Sequence, residues 1–139
     1  MIILDTNVVS ELMRPKRADS VVRWVASRTA TTLCTTTITQ AEILHGVMLL
    51  PKGKRRDALE EAAQLMFDKD FAGRLAPFDS AAAQAYARIA AARRRAGRPI
   101  SSFDAQIAGI ARSTGCALAT RNVSDFEGCG IELFDPWQH

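Results

Sequence analysis

Cysteine and histidine are scarce in this chain of 139 residues, and neither is arranged to hold the fold together. The three cysteines (Cys34, Cys116, Cys129) are an odd number with no C-x-x-C pair, and the two histidines, His45 and His139, stand far apart. That excludes a disulfide framework and a cysteine–histidine zinc site, and it fits a reducing cytoplasm. Long apolar runs are also missing: none exceeds four residues, against the roughly 20 a bilayer span requires. No signal-peptide pattern opens the chain, so no membrane association is expected. Glycine is sparse, at eight residues, and builds no phosphate-cradling loop, because Gly128-Cys129-Gly130 opens no predicted helix. Disorder is excluded by the remaining composition, 47% hydrophobic and 24% charged. A chain of this length buries about two-thirds of its surface, enough for a core without staples.

Cations are plentiful. They outnumber the acids 18 to 15, and 14 of the 18 are arginine, the side chain best suited to bidentate phosphate contacts. A GC-rich genome produces the same bias, so arginine content alone is only a mild pointer to a polyanion.

The apolar pattern alternates strands with helices. Met1-Ile2-Ile3-Leu4 has the look of a strand buried on both faces, and Asp5-Thr6-Asn7 leads from it into a helix. A helix over 19–28 capped by Asp19, a threonine-rich strand over 31–37 and a helix over 39–50 stopped by Pro51 follow. A basic loop over 52–56 precedes a long helix to about residue 70. A brief strand over 75–78, an alanine-rich helix over 80–96 closed by Gly97, and a helix over 101–114 closed by Gly115 come next. Strands over 117–120 and 131–134 complete the set. Strands separated by helices pair in parallel, which predicts an α/β three-layer α/β/α sandwich with a central sheet of about five strands, in one domain over residues 1–139. Val21, Val22, Trp24, Leu65 and Met66 are expected mainly in the core, a minority lining an apolar groove.

The acids are the candidates for chemistry. Asp5 ends the first strand, Glu42 falls in the first turn of the helix after the second, Asp104 opens the helix before the fourth, and Asp125 follows the fourth by five residues. In open α/β sheets, ligands collect beyond the carboxyl ends of the strands. Each acid also has a capping reading: Thr39-Gln40-Ala41-Glu42 and Ser101-Ser102-Phe103-Asp104 have capping-box spacing, and Asp5 and Asp125 can cap the turns that follow them. Capping treats the four as unrelated. Grouped together they would repel one another, and a divalent cation such as Mg²⁺ or Mn²⁺ relieves that repulsion while leaving room for phosphate oxygens. Such an ion polarises a phosphoryl group and activates water, which a carboxylate off the metal can orient or deprotonate.

Four segments, Ile2-Ile3-Leu4-Asp5-Thr6-Asn7, Ile38-Thr39-Gln40-Ala41-Glu42-Ile43, Phe103-Asp104-Ala105-Gln106-Ile107-Ala108 and Ala119-Thr120-Arg121-Asn122-Val123-Ser124-Asp125-Phe126, resemble in order those of the PIN-domain ribonucleases, specifically the VapC-type, FitB-like toxins of bacterial type II toxin–antitoxin systems. The resemblance runs from residue 1 to about 135. It implies an Mg²⁺- or Mn²⁺-dependent endoribonuclease that leaves 5′-phosphate and 3′-hydroxyl ends. It also implies a homodimer, assembling into a heterotetramer or larger with a cognate antitoxin that carries its own DNA-binding domain. Asp5, Glu42 and Asp104 match the family's core acids and Asp125 its fourth acidic position. Thr6 or Asn7, and Thr120 and Asn122, match its polar positions. Some relatives carry an acid where Asn122 stands, so whether Asn122 or Asp125 faces the metal, and whether one ion or two bind, stays open.

Rival chemistries lack parts. Glu42-x-x-His45 has the spacing of a di-iron ligand pair but no second such motif, and a phosphotransferase of the haloacid-dehalogenase type needs an aspartate where Asn7 stands. A non-catalytic module that binds nucleic acid or a partner, with the acids as caps, remains the alternative. Arg93-Arg94-Arg95 with Arg98 complements a helix C-terminus and is expected to be solvated, or to meet RNA or the antitoxin. Lys52, Lys54, Arg55 and Arg56 sit where a helix dipole disfavours cations, so they and Arg121 are the candidate RNA-binding residues.

Overall fold

Strand β1 (Ile2–Leu4) is the middle of a five-stranded sheet in the computed structural model, which describes residues 1–138. The other strands are β2 (Leu33–Thr36), β3 (Leu75–Ala76), β4 (Ala117–Ala119) and β5 (Leu133–Phe134), in the order β3-β2-β1-β4-β5 and all parallel. Six helices connect them: α1 (Thr6–Leu12), α2 (Asp19–Ala26), α3 (Thr37–Met48), α4 (Lys54–Leu65), α5 (Ser80–Arg95) and α6 (Ser102–Thr114).

Alternation along the strands explains the layering. Ile3, Cys34 and Leu118 point into one core, shared with Ala82 and Ile89 of α5 and Ile107, Ile110 and Ala111 of α6. Their neighbours Leu4, Leu33 and Ala119 point the other way, onto Val8 and Val9 of α1, Val21 and Trp24 of α2, Ile43 of α3 and Ala63 of α4. A strand presents successive residues to opposite faces, so two cores sandwich one sheet, as the alternation of strands and helices predicts. Where α5 and α6 pack, a β-carbon on Gly109 would stand 2.7 Å from the Ala82 carbonyl oxygen, so only glycine admits that approach. At the C-cap of α6, Gly115 adopts φ +69°, the left-handed turn that ends the helix.

Several expectations shift. The strand over 31–37 is shortened at both ends, by a 3-10 turn at Ala30–Thr32 and because Thr36, the last residue of the ladder and paired with Ala76, also caps α3. The Thr36 hydroxyl accepts the Thr39 N–H (3.0 Å), so α3 begins two residues before the expected start and Glu42 lies in its second turn, not its first. Asp19 is the first helical residue of α2 and Ala18 its cap. Lys54, Arg55 and Arg56 form the first turn of α4 rather than a loop, and the long helix finishes as a π-helical turn over Met66–Asp70. Val22 and Leu65 are 40% and 58% exposed, so they lie outside the core that holds Val21 and Trp24. Among the described residues no helix is long and apolar enough to cross a membrane.

Candidate active site

The strand order places a topological switch at β1. The chain builds outward from β1 through β2 to β3, then crosses back to add β4 and β5 on the other side. Connections leave β1 and β4 in opposite directions, opening a crevice at their carboxyl ends. Asp5 follows β1 there and Thr120 follows β4.

Asp5 is 4% exposed and caps α1: its Oδ1 accepts the Thr6 N–H (2.8 Å) and its Oδ2 accepts the Thr120 hydroxyl (2.7 Å). Burial pushes its carboxyl up from 3.8 to about 6; the bonds from Thr120 and Thr6 oppose the rise, and the charges of Asp104 and Glu42 add to it. The Thr120 oxygen accepts the Asn122 N–H (3.1 Å) and the Asn7 side-chain amide (3.4 Å), and the Asn7 carbonyl accepts the Arg121 N–H (3.3 Å). Asn122, exposed, enters this network through its main chain.

Glu42 is tied in from the other side. The Thr6 hydroxyl donates to Glu42 Oε1 (2.9 Å) and lies 3.0 Å from the Thr39 hydroxyl. A hydroxyl has one proton, so with Thr6 donating to the carboxylate, Thr39 donates to Thr6. The Thr39 hydroxyl, read from sequence only as a cap, is thus the far end of a chain that aims Glu42. Asp104 is the third residue of α6, where its N–H donates to the capping Ser101 hydroxyl (3.2 Å). Burial raises its carboxyl above the ordinary range, hydrogen bonding to Ser101 counters this, Asp125 adds to the rise and Arg93 lowers it. Asp125 is exposed on a 3-10 turn (Val123–Phe126), felt by Asp104 and not among the charges that reach Asp5.

Asp5, Glu42 and Asp104 therefore converge, and Asp125 stands at the rim beside Asp104. Capping accounts for Asp5 and Asp104 but not for Glu42, which lies a turn inside its helix. Among the described residues no three acid, histidine or cysteine side chains close into a ligand cage on their own. Mg²⁺ and Mn²⁺ demand none, since they commonly take one or two carboxylates and several waters. A buried carboxylate with two others adding to its repulsion fits such an ion, and Asp5, Glu42 and Asp104 are the residues that could hold it. His45 is exposed and shares a cavity of about 290 Å³ with Glu42 and Phe103; His139 lies outside the described residues.

The basic candidates divide. Arg55 lines a cavity of about 430 Å³ with Thr6, Arg14 and Glu42, while Lys52 and Lys54 are exposed nearby in sequence and Arg56 turns to the Met48 sulfur (3.4 Å). Arg93, expected to be solvated, is 7% exposed. It donates to the main-chain carbonyls of Arg98 (2.7 Å), Asp125 (2.8 Å) and Glu127 (2.9 Å), which pins the turn that carries Asp125. No sequence signal marks it, because it stands in a run of three arginines and its partners are backbone oxygens.

An open parallel α/β sheet with acids at its switch point is a frame that could hold a divalent ion, and the relatives of the chain narrow the class. Residues 2–127 match the family described as PIN domain, and the chain belongs to that family. It is 40% identical over 138 residues to the plasmid stability protein StbB of Pseudomonas syringae pv. tomato, and 36% identical over 138 residues to the VapC ribonuclease Y4jK of Sinorhizobium fredii, covering 99% of each chain in both cases. Its fold is similar to that in the crystal structure of FitAcB from Neisseria gonorrhoeae, with a TM-score of 0.93 and 37% identity over all of both chains. A structure of FitAB bound to an IR36 DNA fragment matches equally well, over all of this chain and 97% of the other.

Proposed function

We propose that this protein is a metal-dependent endoribonuclease and the toxin of a toxin–antitoxin module, acting in the cytoplasm as one PIN domain over residues 1–139. The observation that carries this reading is the convergence of Asp5, Glu42 and Asp104 at the β1/β4 switch point, with Asp5 buried and its carboxyl raised to about 6. The names of the VapC ribonuclease and Toxin FitB, the latter 37% identical over 137 residues, support the same direction. In this mechanism Asp5, Glu42 and Asp104 hold one or two Mg²⁺ or Mn²⁺ ions, with Asp125 adding charge from the rim. Bound there, the ion supplies Lewis-acid polarisation of the phosphodiester and a water more readily deprotonated near neutral pH. The protein's own groups do the rest. Thr120, Thr6 and Thr39 fix the orientation of Asp5 and Glu42, a carboxylate not engaged by metal takes the proton of the attacking water, and Arg55 and Arg121 hold backbone phosphates. Asn7, Asn122, Lys52, Lys54 and Arg56 support the acid loops and the RNA path. The partners are RNA, a second copy of the chain, and an antitoxin bearing a DNA-binding domain, by analogy with the FitAB–DNA complex.

The test is cleavage of labelled total RNA by purified protein, with and without Mn²⁺, alongside Asp5→Asn. Metal-dependent products that fall by about 10² or more in the variant are the expected result. Equal cleavage by a folded Asp5→Asn protein would overturn the reading.

A further inference from the structure

Beyond the acids, the same sheet edge carries a second built feature. Arg14, Lys16, Arg17 and Arg121 surround a cleft of about 370 Å³ that Trp137 also lines. Four cations face a single carboxylate, Glu11, which is 6% exposed. Glu11 does not neutralise the cleft so much as shape it. Its Oε1 pairs with Arg14 (3.2 Å) and its Oε2 accepts the Ala18 N–H (2.9 Å), so one buried acid staples both ends of the loop that presents Lys16 and Arg17. On the opposite wall the Arg121 guanidinium lies over the Trp137 ring, 5.0 Å from its centre, which limits its freedom before any ligand arrives.

The cleft adjoins the acid site at two points. Arg14 lines it and also lines the cavity shared by Thr6 and Glu42. Arg121 directly follows Thr120, the donor to Asp5, and its N–H is held by Asn7. Cations that ring a cleft, preset by a stacked ring and a stapled loop, beside the edge proposed to cleave phosphodiesters, match a nucleic-acid backbone better than an apolar peptide face. We propose that this cleft is a phosphate subsite, taking the RNA backbone a short way along the strand from the bond at Asp5. The inference rests on the ribonuclease reading and adds to it the path of the substrate.

The experiment measures binding of a fluorescein-labelled single-stranded RNA oligonucleotide in EDTA, across a range of salt concentrations. Each phosphate contact on a single strand contributes about 0.7 to the slope of log affinity against log salt. Lys16→Gln/Arg17→Gln/Arg121→Gln is expected to flatten the slope by about 2, and Lys16→Gln/Arg17→Gln, which leaves Arg121 on its ring, by about 1.4. The remote exposed pair Lys69→Gln/Arg88→Gln should leave the slope unchanged. Wild-type slopes in the first two variants would overturn the subsite, as would an equal loss in the remote pair. So would variants that keep RNA binding but lose a poly-glutamate peptide, which would make the cleft a protein groove. If wild-type protein cleaves RNA with Mn²⁺ while the slopes do not move, the subsite alone falls. If it neither binds nor cleaves RNA, the ribonuclease reading falls with it.

Discussion

Asp5 keeps a carboxylate where ionisation is unfavourable. The unfolded chain releases its proton near pH 3.8 and the folded protein near 6. Between those values the folded state binds more protons, so the residue's contribution to stability falls as pH rises through that window. Above it the full cost is present, on the order of 3 kcal/mol. Denaturant unfolding in EDTA should therefore show wild-type protein losing stability relative to Asp5→Asn between about pH 4 and pH 7; parallel pH profiles would show that the burial is not felt. Asn puts an NH2 in place of one of the two accepting oxygens, so Thr6 or Thr120 loses its acceptor there; the variant's absolute stability is the poorer guide and the difference in slope is the one to measure. At this scale the acids were legible because an apolar run stops abruptly at Asp5 and motif spacing marks Glu42 and Asp104. The Thr39–Thr6–Glu42 chain was not, since it joins positions 33 and 36 residues apart.

Elements were read well where a period or a stop residue marks them, as with α6 between Ser101 and Gly115. They were misplaced where a side chain redirects the backbone: Thr36 has the β-branched look of a strand residue, yet its hydroxyl caps α3 and moves Glu42 one turn inward. Two contacts between elements invite direct tests. Removing the Arg93 guanidinium takes the donor from three partly buried carbonyls, so Arg93→Met should destabilise by about 2 kcal/mol in urea unfolding and loosen the turn bearing Asp125. Cleavage should fall by more in Arg93→Met than in Arg94→Met, whose side chain is exposed; equal, small effects of both would mean that the turn needs no pin. Gly109→Ala forces a methyl within 2.7 Å of the Ala82 oxygen and 3.0 Å of the Tyr86 nitrogen. Backbone cannot yield as a side-chain tip does, so α5 and α6 must part, with an expected loss of about 1–3 kcal/mol and a lower midpoint in the same assay.

For the whole molecule, alternating strands and helices disclosed the layered sandwich, because parallel neighbours require crossovers. Strand order was not disclosed, since β3 and β5 are two-residue strands with no pattern that names their neighbours. That order is nonetheless what makes the site, by setting Asp5 and Thr120 side by side across 115 residues of sequence. Asp5 and Asp104, whose carboxyls burial raises, are a cost to the fold, and the cation proposed for the site would offset it, because a ligand that binds only the folded state stabilises it by RT ln(1 + [L]/Kd). Adding Mn²⁺ to EDTA-stripped protein, up to about a hundred times its Kd, should thus raise stability by about 2.7 kcal/mol. That amounts to several degrees in Tm for a domain of this size. The rise should shrink in Asp5→Asn and Asp104→Asn and persist in Lys69→Gln, which removes a remote charge. A rise of equal size in the aspartate variants would place the ion elsewhere on the molecule, whatever the cleavage assay returned.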